Sequence, residues 1–414
     1  MTRPTPRAAH LHATARRGAS RLAVDATLGL TNLVENLHHN ITRVPGPLGS
    51  ASQQPTRGIT GLVYRSIRGV TRLVGGSLDA LLGQVTALLG PRPAVASPER
   101  EAVVAALNGV LGDHLEASGN PLAIAMTLRH EGRPLALQPQ ALQAALPGAR
   151  GRVLLLVHGL CMNPLQWQRN GRELGAVLAA EGGFTPLHLH YNSGLHIATN
   201  GRLLADQLQA LLQAWPVALE ELVVVSHSMG GLLVRSAIHQ ALARGDGWPA
   251  RLTRLACLGT PHHGAPLERG GHWIDIILGA SPYTAAFARL GKLRSAGITD
   301  LRHGSLLDED RSGDDRFAHR HDTRTVLPLP QGVDCLALAG SLGQQAGELR
   351  EKLLGDGIVP LDSALGRHKL ASRCLQFAPD RQWVGQGINH IELLHNDEVL
   401  AQLRRWLLPA PTRP

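Results

Sequence analysis

The chain has 414 residues, of which 43% are hydrophobic, so it is long enough for one large domain with a smaller appendage. Its four cysteines lie in or beside apolar runs without a Cys-x-x-Cys spacing, which argues against a zinc site and against a disulfide framework. The formal net charge is +9, and residues 1–100 hold twelve arginines against four acidic residues. The basic character therefore belongs to the N-terminal region.

That region, residues 1–95, is predicted to contain two amphipathic helices, because apolar residues recur at helical spacing over residues 30–44 and 59–89. Arginines lie off the second apolar stripe, so an anionic membrane or a lipid-body surface could bind residues 19–90. The favoured interpretation is that the helices pack on each other or on the rest of the chain, since no Trp or Phe anchors the stripe. Nucleic-acid binding is not expected, because no aromatic residues are interleaved with the arginines.

No targeting or membrane-spanning segment is predicted. The first thirty residues are basic and alanine-rich but lack a continuous apolar segment and a clear cleavage site. No stretch of about twenty uncharged apolar residues occurs. With the cysteines interpreted as buried thiols of a reducing compartment, these features predict a cytoplasmic protein, and membrane association stays open.

A third helix is predicted to begin after Ser97, a good N-cap residue, with Pro98 at the first helical position and apolar residues continuing to Leu111. The domain boundary is placed between residues 95 and 120. The chain is thereby divided into an N-terminal region and a second domain, residues 96–414.

The second domain is expected to begin with a pair of strands, residues 122–128 and 134–137, around a turn at Glu131-Gly132. Residues 152–157 then form a continuous apolar run, which is typical of a strand buried on both faces. This run ends in His158-Gly159-Leu160.

The segment Ser226-His227-Ser228-Met229-Gly230 is predicted to form a nucleophile elbow. It follows a β-branched run and precedes an apolar pattern with helical spacing over residues 232–238. On such a turn a serine is lifted clear of the sheet and lies at a helix N-terminus, where backbone N–H groups point outward. The strained turn needs small residues on both sides. Gly230 meets this need, and Ser226 stands where the motif usually has glycine.

Residues 252–258 are the next predicted strand, and they lead into the motif Gly-Thr-Pro-His-His-Gly, in which His262 and His263 are expected to shape a pocket floor. An insertion of about residues 265–330 contains no clear sheet strand. Its first part is apolar, and its later part, residues 302–324, is strongly charged and predicted to be a solvated loop.

The last two predicted site residues follow this insertion. Asp356, flanked by glycines, comes after the strand predicted at residues 335–339, and Asp334 is the rival acid in the same region. His390 precedes the apolar pattern of the final helix, and His395 is its rival. We favour Asp356 and His390 because of their motif context and their loop positions.

The order Ser228, Asp356, His390 is the serine, acid, histidine order of α/β-hydrolases. With it, residues 122–408 resemble a bacterial α/β-hydrolase of the lipase and esterase type. The motifs Gly-Thr-Pro-His-x-Gly and Asp-Gly-x-Val-Pro are similar to those of triacylglycerol lipases and of lipase-like deacylases acting on lipid anchors. The resemblance implies an α/β-hydrolase fold: a mostly parallel central sheet flanked by helices, with a lid insertion. The N-terminal helical region lies outside the resemblance and is predicted from its apolar spacing alone.

It also implies roles for the site residues. Ser228 would be the nucleophile, His390 the base, and Asp356 the acid that orients the histidine. Backbone N–H groups of Leu160 and Met229 would form the oxyanion hole.

Further positions follow from the same resemblance. Cys161 is the alternative to its neighbour as oxyanion donor, Gly159 lets the backbone approach the substrate, and His158 is expected to anchor the loop rather than titrate. The insertion at about residues 265–330 would be a lid, with Trp273 and Ile277 covering an acyl pocket.

The predicted function is hydrolysis of carboxylic esters, with a lipid or a small ester as substrate, through an acyl-enzyme and without a metal or organic cofactor. The sequence shows no dedicated calcium loop. Acyl transfer and thioester cleavage stay open, because the same triad serves them. An alternative from another class is a membrane- or granule-associated scaffold with a vestigial hydrolase domain.

Overall fold

The computed structural model describes residues 98–169, 171–265, 295–310, 322, 324–343 and 355–408. The two helices predicted within residues 1–95 lie outside these ranges, as do Ser97, Trp273 and Ile277. None of the helices in the described ranges has the length and apolarity that crossing a membrane requires.

The described strands form one large sheet and one short ribbon. The ten strands in chain order are β1 (Thr127–His130), β2 (Arg133–Pro134), β3 (Arg152–Val157), β4 (Gln168–Arg169), β5 (Arg172–Glu173), β6 (Thr185–His190), β7 (Glu221–His227), β8 (Leu252–Leu258), β9 (Asp334–Ser341) and β10 (Gln382–Gln386). The large sheet has the order β10-β9-β8-β7-β3-β6-β1-β2, and β4 pairs only with β5. The six strands from β10 to β6 are parallel, whereas β1 runs antiparallel to β6 and β2.

Helices cover both faces of this sheet. The α-helices are α1 (Pro98–Ala117), α2 (Pro139–Ala145), α3 (Leu174–Gly182), α4 (Ile197–Ala214), α5 (Met229–Arg244), α6 (Ala296–Asp300), α7 (Leu361–Ala364) and α8 (Asp397–Leu407). Short 3₁₀ turns lie at Pro164–Trp167, Trp248–Arg251, Ala371–Arg373, Pro379–Arg381 and Glu392–Leu394.

The central strand β3 shows why the apolar runs of the sequence form this architecture. Val153, Leu155 and Val157 belong to a core shared with α1, α2, α4 and α5, whereas Leu154 and Leu156 belong to a second core shared with α3 and α8. A parallel strand covered on both faces must be apolar at every position. The expectation of a mostly parallel α/β sheet flanked by helices is therefore confirmed.

The first elements differ in extent from their sequence prediction. The predicted helix continues beyond Leu111, where the backbone has non-helical angles, and ends at Ala117. The first predicted strand begins at Thr127 instead of residue 122, because the Asn108 side chain binds the preceding backbone: its Nδ2 donates to the Leu122 carbonyl at 2.8 Å, and its Oδ1 accepts from the Ile124 N–H at 2.9 Å.

The predicted hairpin turn is present. Glu131 and Gly132 both have positive φ, 47° and 76°, which is the conformation of a tight two-residue hairpin turn. The second strand is shorter than predicted and ends at Pro134. Where the structure describes the insertion, residues 295–310 and 324–330, it contains α6 and no strand. The boundary between residues 95 and 120 stays a prediction.

Because Leu155 is 1% exposed at the centre of the sheet, Leu155→Ala is expected to lower the free energy of unfolding by about 2–5 kcal/mol, through lost burial and a cavity. Chemical denaturation of the full chain measures this. Leu370→Ala makes the same substitution at a side chain that is 58% exposed, and we expect a change within about 0.5 kcal/mol. Equal losses in the two variants would contradict the assignment of the core.

Candidate active site

The predicted nucleophile lies on a strained turn. Ser228 joins β7 to α5 with φ 55° and ψ −127°, a backbone conformation that costs a non-glycine residue free energy. Its N–H donates to the carbonyl of Leu258, at the end of the neighbouring strand β8, at 2.8 Å. The sheet therefore holds the turn in place from the side.

Close packing explains the small residues around this turn. A Cβ atom added to Gly230 would lie 2.7 Å from the carbonyl oxygens of both Val157 and His158, so α5 can begin here only with glycine. Ser226, at the position where the motif usually has glycine, donates its buried hydroxyl to the Ala256 carbonyl at 2.8 Å. The serine is accommodated because its hydroxyl has a partner.

A buried carboxylate and imidazole lie beside this turn. Asp356 follows β9 and His390 follows β10, and the His390 Nδ1–H donates to Asp356 Oδ2 at 2.6 Å. The other carboxylate oxygen accepts the N–H groups of Ile358 and Val359 at 3.0 and 2.8 Å. Both side chains are 1% exposed. Three hydrogen bonds thus fix the position and orientation of this carboxyl group.

The two rival residues lie elsewhere. Asp334 is paired with the Arg381 guanidinium at 2.7 Å, and both side chains are more than a third exposed. His395 follows the last 3₁₀ turn and lines a surface cleft of about 580 Å³ together with Trp167 and Leu400. The geometry therefore supports Asp356 and His390 over these alternatives.

Since Nδ1 of His390 donates to the acid, Nε2 is the nitrogen that can accept a proton. Nε2 is buried and has no hydrogen-bond partner among the described residues, so its bond to the Ser228 hydroxyl is not formed. Catalytic hydrogen bonds of this kind often form only when a substrate is bound. The pair is nevertheless close to the elbow, because His227, next to Ser228, donates a hydrogen bond from its Nε2 to the His390 carbonyl at 2.9 Å, and the two rings have centroids 4.6 Å apart.

The loop after β3 lies against the serine from the other side. A Cβ atom added to Gly159 would lie 2.9 Å from the Ser228 Cβ. Within the described part of the chain, the N–H groups of Leu160 and Met229 make no hydrogen bond, whereas the N–H of Cys161 donates to Ser193 Oγ at 3.0 Å. This geometry favours Leu160 over Cys161 as the first oxyanion donor.

The other histidines near the elbow are neutral. His158 stacks on Tyr191, with ring centroids 4.4 Å apart, and burial lowers its pKa to about 4. Burial also lowers the pKa of His227 well below its ordinary value, and its Nε2–H donates to the His390 carbonyl at 2.9 Å. Neither ring is charged near neutral pH, so His390 remains the candidate base.

Arg324 is an exception to the prediction that residues 302–324 form a solvated loop, a segment of which residues 311–321 and 323 lie outside the described ranges. It is 8% exposed, and its Nη1 donates to the carbonyls of His262 and Gly304 at 2.7 and 3.2 Å. Its Nη2 donates to His263 Nδ1 at 2.7 Å. The guanidinium is buried because these acceptors replace water.

The sequence interpretation also missed the buried Arg235. Its guanidinium donates to His262 Nδ1 at 3.2 Å. His262 therefore serves as a hydrogen-bond acceptor, and its ring is not free to line the predicted pocket floor. The sequence did contain a signal for this burial, because Arg235 is a basic residue within the apolar pattern of α5. Nowhere in the described ranges do three or more His, Cys, Asp or Glu residues stand close enough to hold a metal ion.

Comparison with known families agrees with this geometry. Residues 148–326 match the family model described as "PGAP1-like alpha/beta domain". The chain contains an α/β-hydrolase domain. The sheet order, and the serine, acid and histidine that follow β7, β9 and β10, are those of this fold. No curated protein sequence matches the chain.

Solved structures similar to the α/β-hydrolase domain include a lipase, BlEst2, from Bacillus licheniformis in its mature form (18% identity, 68% of this chain and 98% of that chain, TM-score 0.40). Another is a hyperthermophilic esterase from the archaeon Pyrobaculum calidifontis (14% identity, 80% and 96%, TM-score 0.39). A third is phospholipase PlaB from Legionella pneumophila, in complex with thio-NAD (16% identity, 51% and 44%, TM-score 0.33).

The buried His158 makes the stability of the α/β-hydrolase domain dependent on pH. Its folded-state pKa of about 4 lies below the ordinary 6.5. As the pH falls below 6.5, His158 therefore binds a proton in the unfolded chain but not in the folded chain. This histidine should therefore remove about 3 kcal/mol from the free energy of unfolding between pH 6.5 and 4.

Urea denaturation at several pH values tests this expectation. The His158→Gln variant should lose stability less steeply as pH falls than the wild type does. His239→Gln changes an exposed histidine and is the matched control. If His158→Gln and wild type lost stability in parallel, the buried ring would not be the source of the acid sensitivity.

Proposed function

We propose that the protein is a serine hydrolase that cleaves carboxylic esters through an acyl-enzyme. The observation that carries this proposal is the buried His390–Asp356 pair beside the strained Ser228 turn, in which the His390 Nε2 has no hydrogen-bond partner among the described residues. A buried imidazole held in one tautomer, with its second nitrogen unused, is prepared to accept a proton.

In the first half-reaction, the Ser228 hydroxyl oxygen attacks the ester carbonyl carbon while its proton passes to His390 Nε2. The carbonyl oxygen becomes an oxyanion, which the N–H groups of Leu160 and Met229 stabilise. His390 then returns the proton to the alkoxide leaving group as the carbon–oxygen bond breaks. Asp356 keeps the imidazole oriented and stabilises its charged form.

In the second half-reaction, a water molecule attacks the acyl carbon and gives its proton to His390 Nε2. The same two N–H groups stabilise the second oxyanion. Collapse of this intermediate releases the carboxylic acid, and His390 returns the proton to Ser228 Oγ. These steps use only groups of this chain, water and the ester.

We further propose that the substrate is a lipid ester. The support is the similarity of the Gly-Thr-Pro-His-x-Gly and Asp-Gly-x-Val-Pro motifs to those of hydrolases acting on lipids. Thr260 of the first motif packs against Gly231, where an added Cβ atom would lie 2.2 Å from its hydroxyl oxygen. Asp356 of the second motif is the acid described above. Both motifs thus contact the elbow or the acid–base pair.

The proposed triad is tested by single variants assayed with a p-nitrophenyl ester. Ser228→Ala should abolish hydrolysis, and Asp356→Asn should lower kcat by about 10⁴-fold, the loss known for the equivalent change in a serine protease. Asp334→Asn and His395→Gln are the matched controls and should retain activity. Hydrolysis that persists in folded Ser228→Ala would exclude this mechanism, whereas a folded wild type without hydrolysis would favour a scaffold with a vestigial site.

The lipid proposal is tested by the acyl-chain profile of the wild type. With p-nitrophenyl esters from acetyl to palmitoyl, kcat/KM is expected to rise with chain length, because each buried methylene contributes about 0.8 kcal/mol to binding. Ser228→Ala measured at each length removes the background. A profile that falls steadily from the acetyl ester would contradict a lipid substrate while leaving ester hydrolysis intact.

A further inference from the structure

The turn that carries the proposed oxyanion donor is held by contacts from the loop after β6 and from α1. We propose that Ser193 is a positioning residue for this turn, and that α1 completes the brace. The inference rests on the proposed function, because it concerns the N–H of Leu160. It extends the catalytic machinery to a helix that lies before the family-matched residues 148–326.

The turn needs a brace because it is strained. Cys161 has φ 59°, and it is one of three non-glycine residues with positive φ in the described ranges, together with Glu131 and Ser228. Such a conformation costs about 1–3 kcal/mol and persists only where surrounding contacts fix it. Because the residue at this position is cysteine and not glycine, surrounding contacts must hold it in this conformation.

Ser193 supplies the first of these contacts. It lies in the loop after β6 and is 1% exposed, and its Oγ accepts the N–H of Cys161 at 3.0 Å. This bond fixes the peptide plane between Leu160 and Cys161. The Cys161 N–H is thereby occupied, and the Leu160 N–H, in the adjoining peptide on the other side of the Leu160 Cα, is left as the available donor.

The same loop holds the other end of the turn. The Tyr191 hydroxyl donates to the His158 carbonyl at 2.9 Å, and its ring stacks on the His158 imidazole. Two residues of one loop therefore fix both ends of the segment from His158 to Cys161.

Helix α1 closes the brace from behind. A Cβ atom added to Gly109 would lie 2.2 Å from Cys161 Sγ and 2.8 Å from Cys161 Cα, so the helix backbone lies directly on the turn. One helical turn later, the Gly112 carbonyl accepts a hydrogen bond from Asn192 Nδ2 at 2.9 Å. The helix thus contacts both the turn and the loop that holds it.

The test is Ser193→Ala in the full chain, assayed with a p-nitrophenyl ester and with an alkyl trifluoromethyl ketone, whose adduct with a serine bears an oxyanion. Loss of one oxyanion-hole donor lowers kcat by about 10²–10³-fold, and a displaced donor should cost about 10–100-fold. We expect kcat to fall in this range with little change in KM. The inhibition constant of the ketone should rise by a similar factor, because both effects report on the transition state.

Thr185→Val is the matched control. Thr185 is also buried, at the opposite end of β6, and its Oγ1 accepts the Arg150 N–H at 2.9 Å. The control removes the same kind of bond far from the serine, so it should lower thermal stability as Ser193→Ala does while leaving kcat and ketone inhibition unchanged. Ser193→Cys places a weaker acceptor of similar size at this position and should give an intermediate kcat. If Ser193→Ala does not fold, the kcat of Ser193→Cys tests the inference instead.

The outcomes separate the inference from the function on which it rests. If Ser228-dependent hydrolysis is present and Ser193→Ala behaves like Thr185→Val, the positioning role is overturned and the proposed function stands. If hydrolysis by the wild type does not depend on Ser228, both are overturned. A selective loss of kcat and of ketone affinity in Ser193→Ala supports both.

Discussion

The hydrogen bond from His390 Nδ1 to Asp356 Oδ2 is the interaction on which the site depends. It determines which imidazole nitrogen is left bare, and it requires that the loops after β9 and β10 end at the same edge of the sheet as the turn after β7. A parallel sheet meets this requirement by its topology alone, because all its strands end at the same edge. Two backbone N–H groups, of Ile358 and Val359, hold the other carboxylate oxygen, so the acid is oriented by its own loop as well as by the histidine.

Local signals predicted the elements that carry the chemistry. The apolar run of residues 152–157 and the run before Ser228 are strands because only a continuous apolar sequence can occupy the middle of a parallel sheet. Small residues around the serine marked the turn, and glycines around Asp356 marked a tight loop. In each case one short segment contains the physical reason for its own conformation.

The features that sequence interpretation missed depend on distant partners. Nothing near Arg324 in the chain shows that carbonyls some twenty to sixty residues earlier would replace its water. The left-handed turn at Cys161 likewise cannot be predicted from the local sequence, because the residues that impose it, Gly109 and Ser193, lie on other elements. Asn108 shortened the first predicted strand for the same reason. Such long-range contacts follow from the fold and cannot be deduced from a local pattern.

The position of β8 within the sheet has a consequence for dividing the chain. β8 lies between β7 and β9, and Leu255, Ala256 and Cys257 within it are fully buried. A fragment limited to residues 148–326 would end before β9, which begins at Asp334. Its β8 would become a bare apolar edge, with unpaired backbone groups free to add strands from other copies. Such a fragment should therefore self-associate, which makes the family-matched segment a poor unit for expression on its own.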